Sequence, residues 1–302
     1  MTAEPVTIVV PYVSGIAFLA ETLASARFLR GGDWQVIVSD NTRDVNERAA
    51  AQALVADLGD RRFAFRAFDE HVDICASFNR AMDCATTDLV ALLHADDRIG
   101  PTYIQVIRSL AEQYPDAAAY YCAARIIDGA GQPTFSFVDY VKRFLIPRST
   151  GPITVLQGAQ GVAALARGNF IMGPTVCFRR SRIPSERWPG NLVQAADLDY
   201  WTRIMFFGGT IVGSREVAYD YRRHAAQSTA QVNQTLHRFR EEALVYDLIA
   251  ERAAARGWAH ASRVARRKLT TRLQLLYEAA NDALHLKLRA AADKLAFLPR
   301  LR

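Results

Sequence analysis

The chain has 302 residues, is 50% hydrophobic and 23% charged, and carries a formal net charge of +6. At about 150 residues per domain, this length allows one large domain or two small ones, either able to bury a full core. The aliphatic content excludes a disordered or collagen-like chain. No apolar run reaches the roughly 18 to 20 residues that a bilayer span requires. The opening Met1-Thr2-Ala3-Glu4-Pro5 lacks the basic stretch of a secretory leader, which predicts a cytoplasmic location.

The charge is unevenly spread. Residues 251–302 hold 12 Lys and Arg against 4 Asp and Glu, whereas the preceding 250 residues hold 25 against 27. The excess positive charge therefore belongs to the last sixth of the chain, either as an attachment segment for something anionic or as a solvated helix face. Cys75, Cys84, Cys122 and Cys177 show neither a C-x-x-C spacing nor a paired-His spacing. This argues against a zinc site or a disulfide framework and fits a reducing compartment.

In chain order, Val6 to Val10 is a run of mostly β-branched residues ending at Pro11, which reads as a strand buried on both faces. A helix follows over Ile16 to Leu29. Trp34 to Val38 is a second strand, ending at Ser39-Asp40-Asn41. A helix over Val45 to Leu58 precedes the alternating stretch Arg62 to Arg66, and a helix over Cys75 to Cys84 leads into the strand Leu89 to Leu93. Strands alternating with helices predict an α/β fold, an open and mostly parallel sheet covered on both faces. Ligands of such sheets bind at the carboxyl ends of the strands, so Asp40 and Asp96/Asp97 should converge on one crevice.

Residues 128–168, rich in Gly and Pro and with aromatics of no clean period, read as a long connection with a helix or two, a variable lid or acceptor-binding insert. Val176 to Phe178 resumes strand character, Asp197 to Phe207 reads as a helix, and Thr210 to Gly213 as a short strand. From about Leu236 the pattern is helical. Leu269, Leu273, Leu276, Ala280, Leu284, Leu288, Ala291 and Leu295 step by three or four and make one apolar stripe.

Three segments carry the candidate chemistry. In His94-Ala95-Asp96-Asp97, two carboxylates follow a buried strand, which is costly unless they meet a cation or stay wet. Hard oxygen ligands beside a His suit Mg²⁺ or Mn²⁺; the bland alternative is an Asp capping the helix that Pro101 introduces. In Asp197-Leu198-Asp199, helical geometry points the two carboxylates about 200° apart, so at most one faces a given pocket. The third segment is Tyr219-Asp220-Tyr221-Arg222-Arg223-His224, followed by Gln227-Ser228-Thr229.

The order of these pieces resembles the inverting family-two glycosyltransferases of the GT-A fold, which act on bacterial surface polysaccharides. The pieces are a strand ending at Pro11, a strand ending at Asp40-Asn41, a helix with Asn79-Arg80, a strand followed by His94-x-Asp96-Asp97, Asp197-x-Asp199-x-Trp201, and Tyr221-Arg222-Arg223-His224. The likeness spans Val6 to about Thr229. It implies a GT-A domain over residues 1–232, including the 128–168 insert, followed by a basic amphipathic helical region over 233–302. It implies a nucleotide-diphosphate sugar donor of UDP, GDP or dTDP type, a saccharide or lipid-linked acceptor, and a Mn²⁺ or Mg²⁺ cofactor. By the same resemblance Pro11, Tyr12 and Val13 lie by the nucleotide base, Asp40 accepts from the base edge, and Asn79, His94, Ala95 and Asp96 complete the nucleotide site. Asp96, Asp97 and His224 are the expected metal contacts, and Asp197 the general base.

Three positions depart from the family pattern. His94 replaces the first Asp of the Asp-x-Asp signature, Ala196 replaces the Glu of the Glu-Asp pair, and the usual Tyr-Asn after the first strand is Val13-Ser14, with Tyr12 one place earlier. The alternative is a degenerate member that binds nucleotide or polymer without turnover. A nucleotidylyltransferase would need a Gly-rich loop after the first strand, and a dehydrogenase a G-x-G-x-x-G; neither is present. No nucleic-acid module is recognisable. The basic helices either meet an anionic membrane surface or pack their stripe on the sheet domain or a second subunit.

Overall fold

Strand β1 (Val6–Tyr12) is almost wholly buried because it runs through the middle of a nine-stranded sheet. The structure, a computed structural model, describes residues 4–147, 151–190, 192–224 and 236–301. The other strands are β2 (Trp34–Asp40), β3 (Phe63–Arg66), β4 (Leu89–Leu92), β5 (Arg98–Ile99), β6 (Ala119–Ile127), β7 (Ile153–Leu156), β8 (Val176–Arg179) and β9 (Ile211–Arg222). Their order across the sheet is β3-β2-β1-β4-β8-β6-β9-β5, with β7 also on β9. Strands β1 to β4 pair in parallel. Strand β8 is antiparallel to both β4 and β6, and β6 is parallel to β9. Six strands thus point one way, and the ends of β1, β2, β4, β6 and β9 share one edge, where an α/β sheet binds its ligands.

Helices α1 (Ile16–Ala26), α2 (Val45–Asp57) and α4 (Tyr103–Gln113) cover one face, with Leu19, Leu23, Val55, Ile104 and Ile107 among the residues they bury. Helices α3 (Ile74–Asp83), α6 (Gly158–Arg167) and α7 (Ala196–Phe206) cover the other. Two of them start on local caps: Asp44 accepts from the Asn46 N–H at α2, and Asp73 from the Ala76 N–H at α3.

The expected insert over 128–168 divides in two. Helix α5 (Phe137–Leu145) lies outside the sheet layers, but β7 pairs with β9, and α6 buries Val162 to Ala166 completely or nearly so. Its second half is therefore core. Strand β9 is also longer than the expected Thr210–Gly213; its middle, Arg215 to Val217, is exposed and lies opposite a register shift in β6, which interrupts the alternating pattern.

Four helices close the chain: α8 (Leu236–Ala255), α9 (Ala259–Arg266), α10 (Leu269–Leu284) and α11 (Leu288–Phe297). Helix α8 packs on α7, and α9 on α6. Two charged contacts fasten α8 to α7. Asp199 is buried and pairs with Arg203 and with Arg252 of α8, both at 2.7 Å. Ala195, at the start of α7, has no capping side chain. Glu241 of α8 instead braces the turn leading into α7: its Oε1 accepts from the N–H groups of Val193, Gln194 (2.7 Å) and Ala195 (3.1 Å). The Ala195 N–H is buried and would otherwise lack an acceptor, and those of Val193 and Gln194 are partly so.

The apolar stripe of the last helices does not pack on the sheet domain. Helix α10 turns Thr271, Leu275 and Ala279 inward and leaves Leu269, Leu273, Leu276 and Leu284 between 44% and 82% exposed. Of these, Leu275 belongs to a small separate core with Phe239, Phe297 and Leu301.

Glu241→Ala should lower stability by about 1–3 kcal/mol, because it strips one acceptor from three N–H groups. Glu241→Gln, which keeps a carbonyl acceptor, should lose less. Thermal or urea melts of the full chain check this; an alanine variant as stable as the parent would show that the cap contributes nothing.

Candidate active site

The loop after β1 is held from the next helix. Glu47 Oε1 of α2 accepts from the Tyr12 hydroxyl and from the N–H groups of Gly15 (2.8 Å) and Ile16 (3.1 Å). Tyr12 is fully buried, and burial next to this carboxylate pushes its hydroxyl well above the usual phenol value. Val13 stands half exposed at the loop, and Pro11 is partly buried behind it. Of the three expected base neighbours, Val13 is thus the most exposed.

At the end of β2, Asp40 is also fully buried. Its Oδ1 accepts from the Thr42 N–H at 2.9 Å, and its Oδ2 lies 2.6 Å from Arg48 Nε. Arg80 of α3 donates to the Asp40 carbonyl (2.8 Å), to Asn41 Oδ1 (2.6 Å) and to the Glu70 carbonyl (2.8 Å), with its guanidinium over the Phe68 ring. The neighbouring Asn79 exchanges two hydrogen bonds with the main chain of Trp188 (2.8 and 3.2 Å). Asp40 and Asn79 both have structural partners, and Arg80 ties the 68–72 loop to the strand end.

The loop after β4 carries the densest chemistry. Asp97 has no exposed surface; its Oδ2 accepts from the Tyr219 hydroxyl (2.9 Å) and its Oδ1 from the Arg222 N–H (2.7 Å). Asp97 is therefore not the helix cap that the sequence left open: the two-residue strand β5 follows it, and α4 begins only at Tyr103. Burial and the neighbouring Asp96 hold its carboxyl well above the ordinary range, against the two hydrogen bonds that favour ionisation. Thr22 of α1 fixes the loop's main chain, donating to the carbonyls of Ala95 (2.9 Å) and Asp97 (2.7 Å). Arg222 is fully buried and donates to the Asp96 carbonyl (2.5 Å), to Glu21 (2.7 Å) and to the Gly129 carbonyl (3.0 Å).

His94, Asp96 and Asp97 bring one ligand atom each within 4.8 Å of one another, with His94 Nδ1 4.0 Å from Asp97 Oδ2. His224 Nε2 lies 3.0 Å from Asp96 Oδ2, and its ring rests against Phe18. Among the described residues the group whose ligand atoms converge contains Asp96 and Asp97 of the expected metal contacts and adds His94, while His224 stands beside it through Asp96. Burial pulls the His94 imidazole down toward its neutral form, against Asp96 and Asp197, which favour the charged one. Gln227, Ser228 and Thr229 lie outside the described residues.

Asp197 occupies the first turn of α7, the end that the Glu241 cap fixes. Its Oδ1 accepts from Trp188 Nε1 at 3.2 Å, and its Oδ2 lies so close to Gly173 that a Cβ there would displace the carboxylate. Burial raises its carboxyl, and the Trp188 N–H and nearby His94 partly offset this. Phe78 stacks on His94 and meets Trp188 edge to face, so an aromatic pair joins the His94 loop to the Asp197 helix. The sequence did not single out Trp188, Tyr219 or Glu241 for these roles, because each acts on a partner from another element. A spacing pattern reports only its own segment.

The arrangement sets the Asp197 carboxylate near the His94 imidazole, which is itself one of the three groups that could hold a cation. The family model for "Glycosyl transferase family 2" matches residues 7–171. A relative, the uncharacterized protein MT1568 of Mycobacterium tuberculosis (strain CDC 1551 / Oshkosh), is 26% identical over 239 residues, covering 77% of this chain and 72% of its own. Among solved structures, S. aureus TarS 1-349 in complex with UDP-GlcNAc superposes with a TM-score of 0.68 at 14% identity, over 98% of this chain and 81% of that one. The mannosyltransferase PcManGT from Pyrobaculum calidifontis, in complex with GDP-Man and Mn²⁺, gives 0.61 at 16% identity, over 100% and 85%. The likenesses share the α/β sheet and its C-terminal helices, the GT-A arrangement. With its first three strands, the His94–Asp97 loop and α6 all inside the matched region, the chain belongs to glycosyl transferase family 2 and is a glycosyltransferase.

Proposed function

We propose that the protein is an inverting, metal-dependent enzyme that moves a sugar from a nucleotide-diphosphate donor to a hydroxyl of a saccharide or lipid-linked saccharide in surface-polysaccharide synthesis. The observation that carries this reading is the meeting of His94, Asp96 and Asp97 with His224 and Asp197 at the carboxyl edge of the sheet. One of the structural relatives holds UDP-GlcNAc and the other GDP-Man with Mn²⁺, which supports a UDP- or GDP-type donor.

The donor set fits a hard divalent ion: one imidazole nitrogen and carboxylate oxygens, with His94 and Asp96 partly open to solvent and Asp97 behind them. His94, Asp96 and Asp97, with His224 beside Asp96, would hold Mn²⁺ or Mg²⁺. A cation bound there supplies neutralisation of charge growing on the leaving diphosphate. Val13 and Pro11 line the base side, and Asp40, Asn79 and Ala95 shape the site through the main chain they hold or present. Asp197 takes the proton from the acceptor hydroxyl as that oxygen attacks the anomeric carbon opposite the diphosphate. Trp188 orients the carboxylate and stabilises its ionised form.

Asp197→Asn should leave nucleotide binding near wild type and cut transfer by about 10²- to 10⁴-fold, the usual worth of a positioned base. A variant that kept most of its turnover would remove Asp197 from this role. Hydrolysis and transfer with a panel of nucleotide sugars, with Mn²⁺ or with chelator, tests the reaction itself. Tight nucleotide binding with no turnover of any donor would instead identify a non-catalytic binder.

A base must be ionised to act, so activity should rise with pH through the Asp197 titration. Burial places that limb above the value of an ordinary carboxyl. Trp188→Phe removes an N–H that favours the ionised form, so the limb should move to higher pH. A kcat–pH profile checks the sign; a limb that stayed in place would separate Trp188 from the titration.

A further inference from the structure

The last helices segregate their charges. Asp282 is buried and pairs with Lys294 at 2.6 Å; Glu278 sits between Arg238 and Lys294, and Lys268 is buried against Asp247 at 2.7 Å. Between Ala259 and Leu301 the exposed charged residues are Arg263, Arg266, Arg267, Lys287, Arg289 and Arg300, against the single acid Asp293. Lys268 and Lys294 are buried, but six of the bases in this stretch are exposed against one of its acids.

The same surface is apolar. Leu269, Leu273, Leu276, Tyr277 and Leu284 run along α10 for about 22 Å, all at least 44% exposed, and Leu288 and Leu295 follow on α11. Arg266 and Arg267 stand at one end of this ridge, Lys287 and Arg289 at the other. Isolated exposed leucines need no explanation, but a contiguous helical face of them marks an interaction site.

The face adjoins a second exposed apolar element. Phe135, Tyr140 and Phe144 make successive ring contacts on and before α5, and all three are exposed. The end of α5 and the start of α10 meet over Gly168, where Leu145 and Thr270 both crowd the site of a Cβ. Helix α5 is in turn held beside the active site by Asp139, which receives Arg223, the neighbour of His224, at 2.9 Å.

We propose that the exposed face of α10 and α11, continued by the aromatic residues of α5, docks on an anionic lipid bilayer, with its leucines in the headgroup boundary and its arginines on lipid phosphates. The charge decides against a second copy of the chain. An isologous contact through this face would set Arg266, Arg267, Lys287 and Arg289 near the same residues of the partner, whereas an anionic surface complements every one of them. No described helix is long and apolar enough to cross a membrane, so the contact is interfacial.

The test is co-sedimentation of the full chain with vesicles of phosphatidylcholine alone or mixed with phosphatidylglycerol, a readout that does not depend on catalysis. The protein should pellet with the mixed vesicles and release as salt rises. Two double variants, Leu273→Ser with Leu276→Ser, and Arg266→Glu with Arg267→Glu, should each weaken binding at least about tenfold. All four positions are exposed, and a thermal melt confirms that each variant folds. No pelleting with anionic vesicles at low salt, or binding untouched by both variants, would overturn the proposal. So would a dimer seen by sedimentation velocity that the leucine variant dissolves.

Discussion

The site is organised around one buried carboxylate. Strands β4 and β9 are not neighbours; β8 and β6 separate them in the sheet. Asp97, at the tip of the chain leaving β4, nevertheless reaches the end of β9, taking the Tyr219 hydroxyl and the Arg222 N–H on its two oxygens. A carboxyl with no exposed surface is tolerated only where such partners are fixed. Once they are, the loop from His94 to Asp97 has little freedom, and Arg222 passes the constraint on to Glu21 of α1 and to the Gly129 turn. Asp96 and His224 then face each other because the residues adjoining them, Asp97 and Arg222–Arg223, are already joined.

Much of the first half of the fold was legible. The β-branched run at Val6–Val10 and the alternating helices and strands up to Leu93 contain enough local signal to set both type and order. The signal weakens where packing is settled by distant partners. Strand β6 lies between the readable segments without any motif, and only Pro101 announces helix α4. The core helix α6 is a Gly- and Ala-rich stretch buried over Gly161 to Ala166, so no polar face marks its period. The direction of β8 has no local signature, since Val176–Arg179 would suit either orientation.

At the site, residue types were more legible than their partners. His94, Asp96, Asp97, Asp197 and His224 stand out because carboxylates and imidazoles after apolar strands need a reason to be there. What those side chains touch was not readable. Asp40 meets Arg48, and Asn79 meets the Trp188 main chain, through contacts that cross 8 and 109 positions of the chain. The periodicity of the last helices gave a stripe but no sense of inside and outside. The structure shows why: Leu275 and Ala279 form a second, narrower face that does the packing.

Asp197 and Asp199 lie two positions apart on one helix and serve opposite sides of it, one turned to His94 and Trp188, the other to Arg252 of α8. Together with Glu241, this makes α8 part of the scaffold that aims Asp197. The catalytic segment and the closing helices are therefore not interchangeable modules. A descendant that acquired a different tail by recombination would also have to supply an acceptor for the three N–H groups before α7 and a second cation, beside Arg203, for Asp199. Divergence in this region should accordingly proceed by substitution along the outer leucine ridge, while the inner face of α8 changes in step with α7.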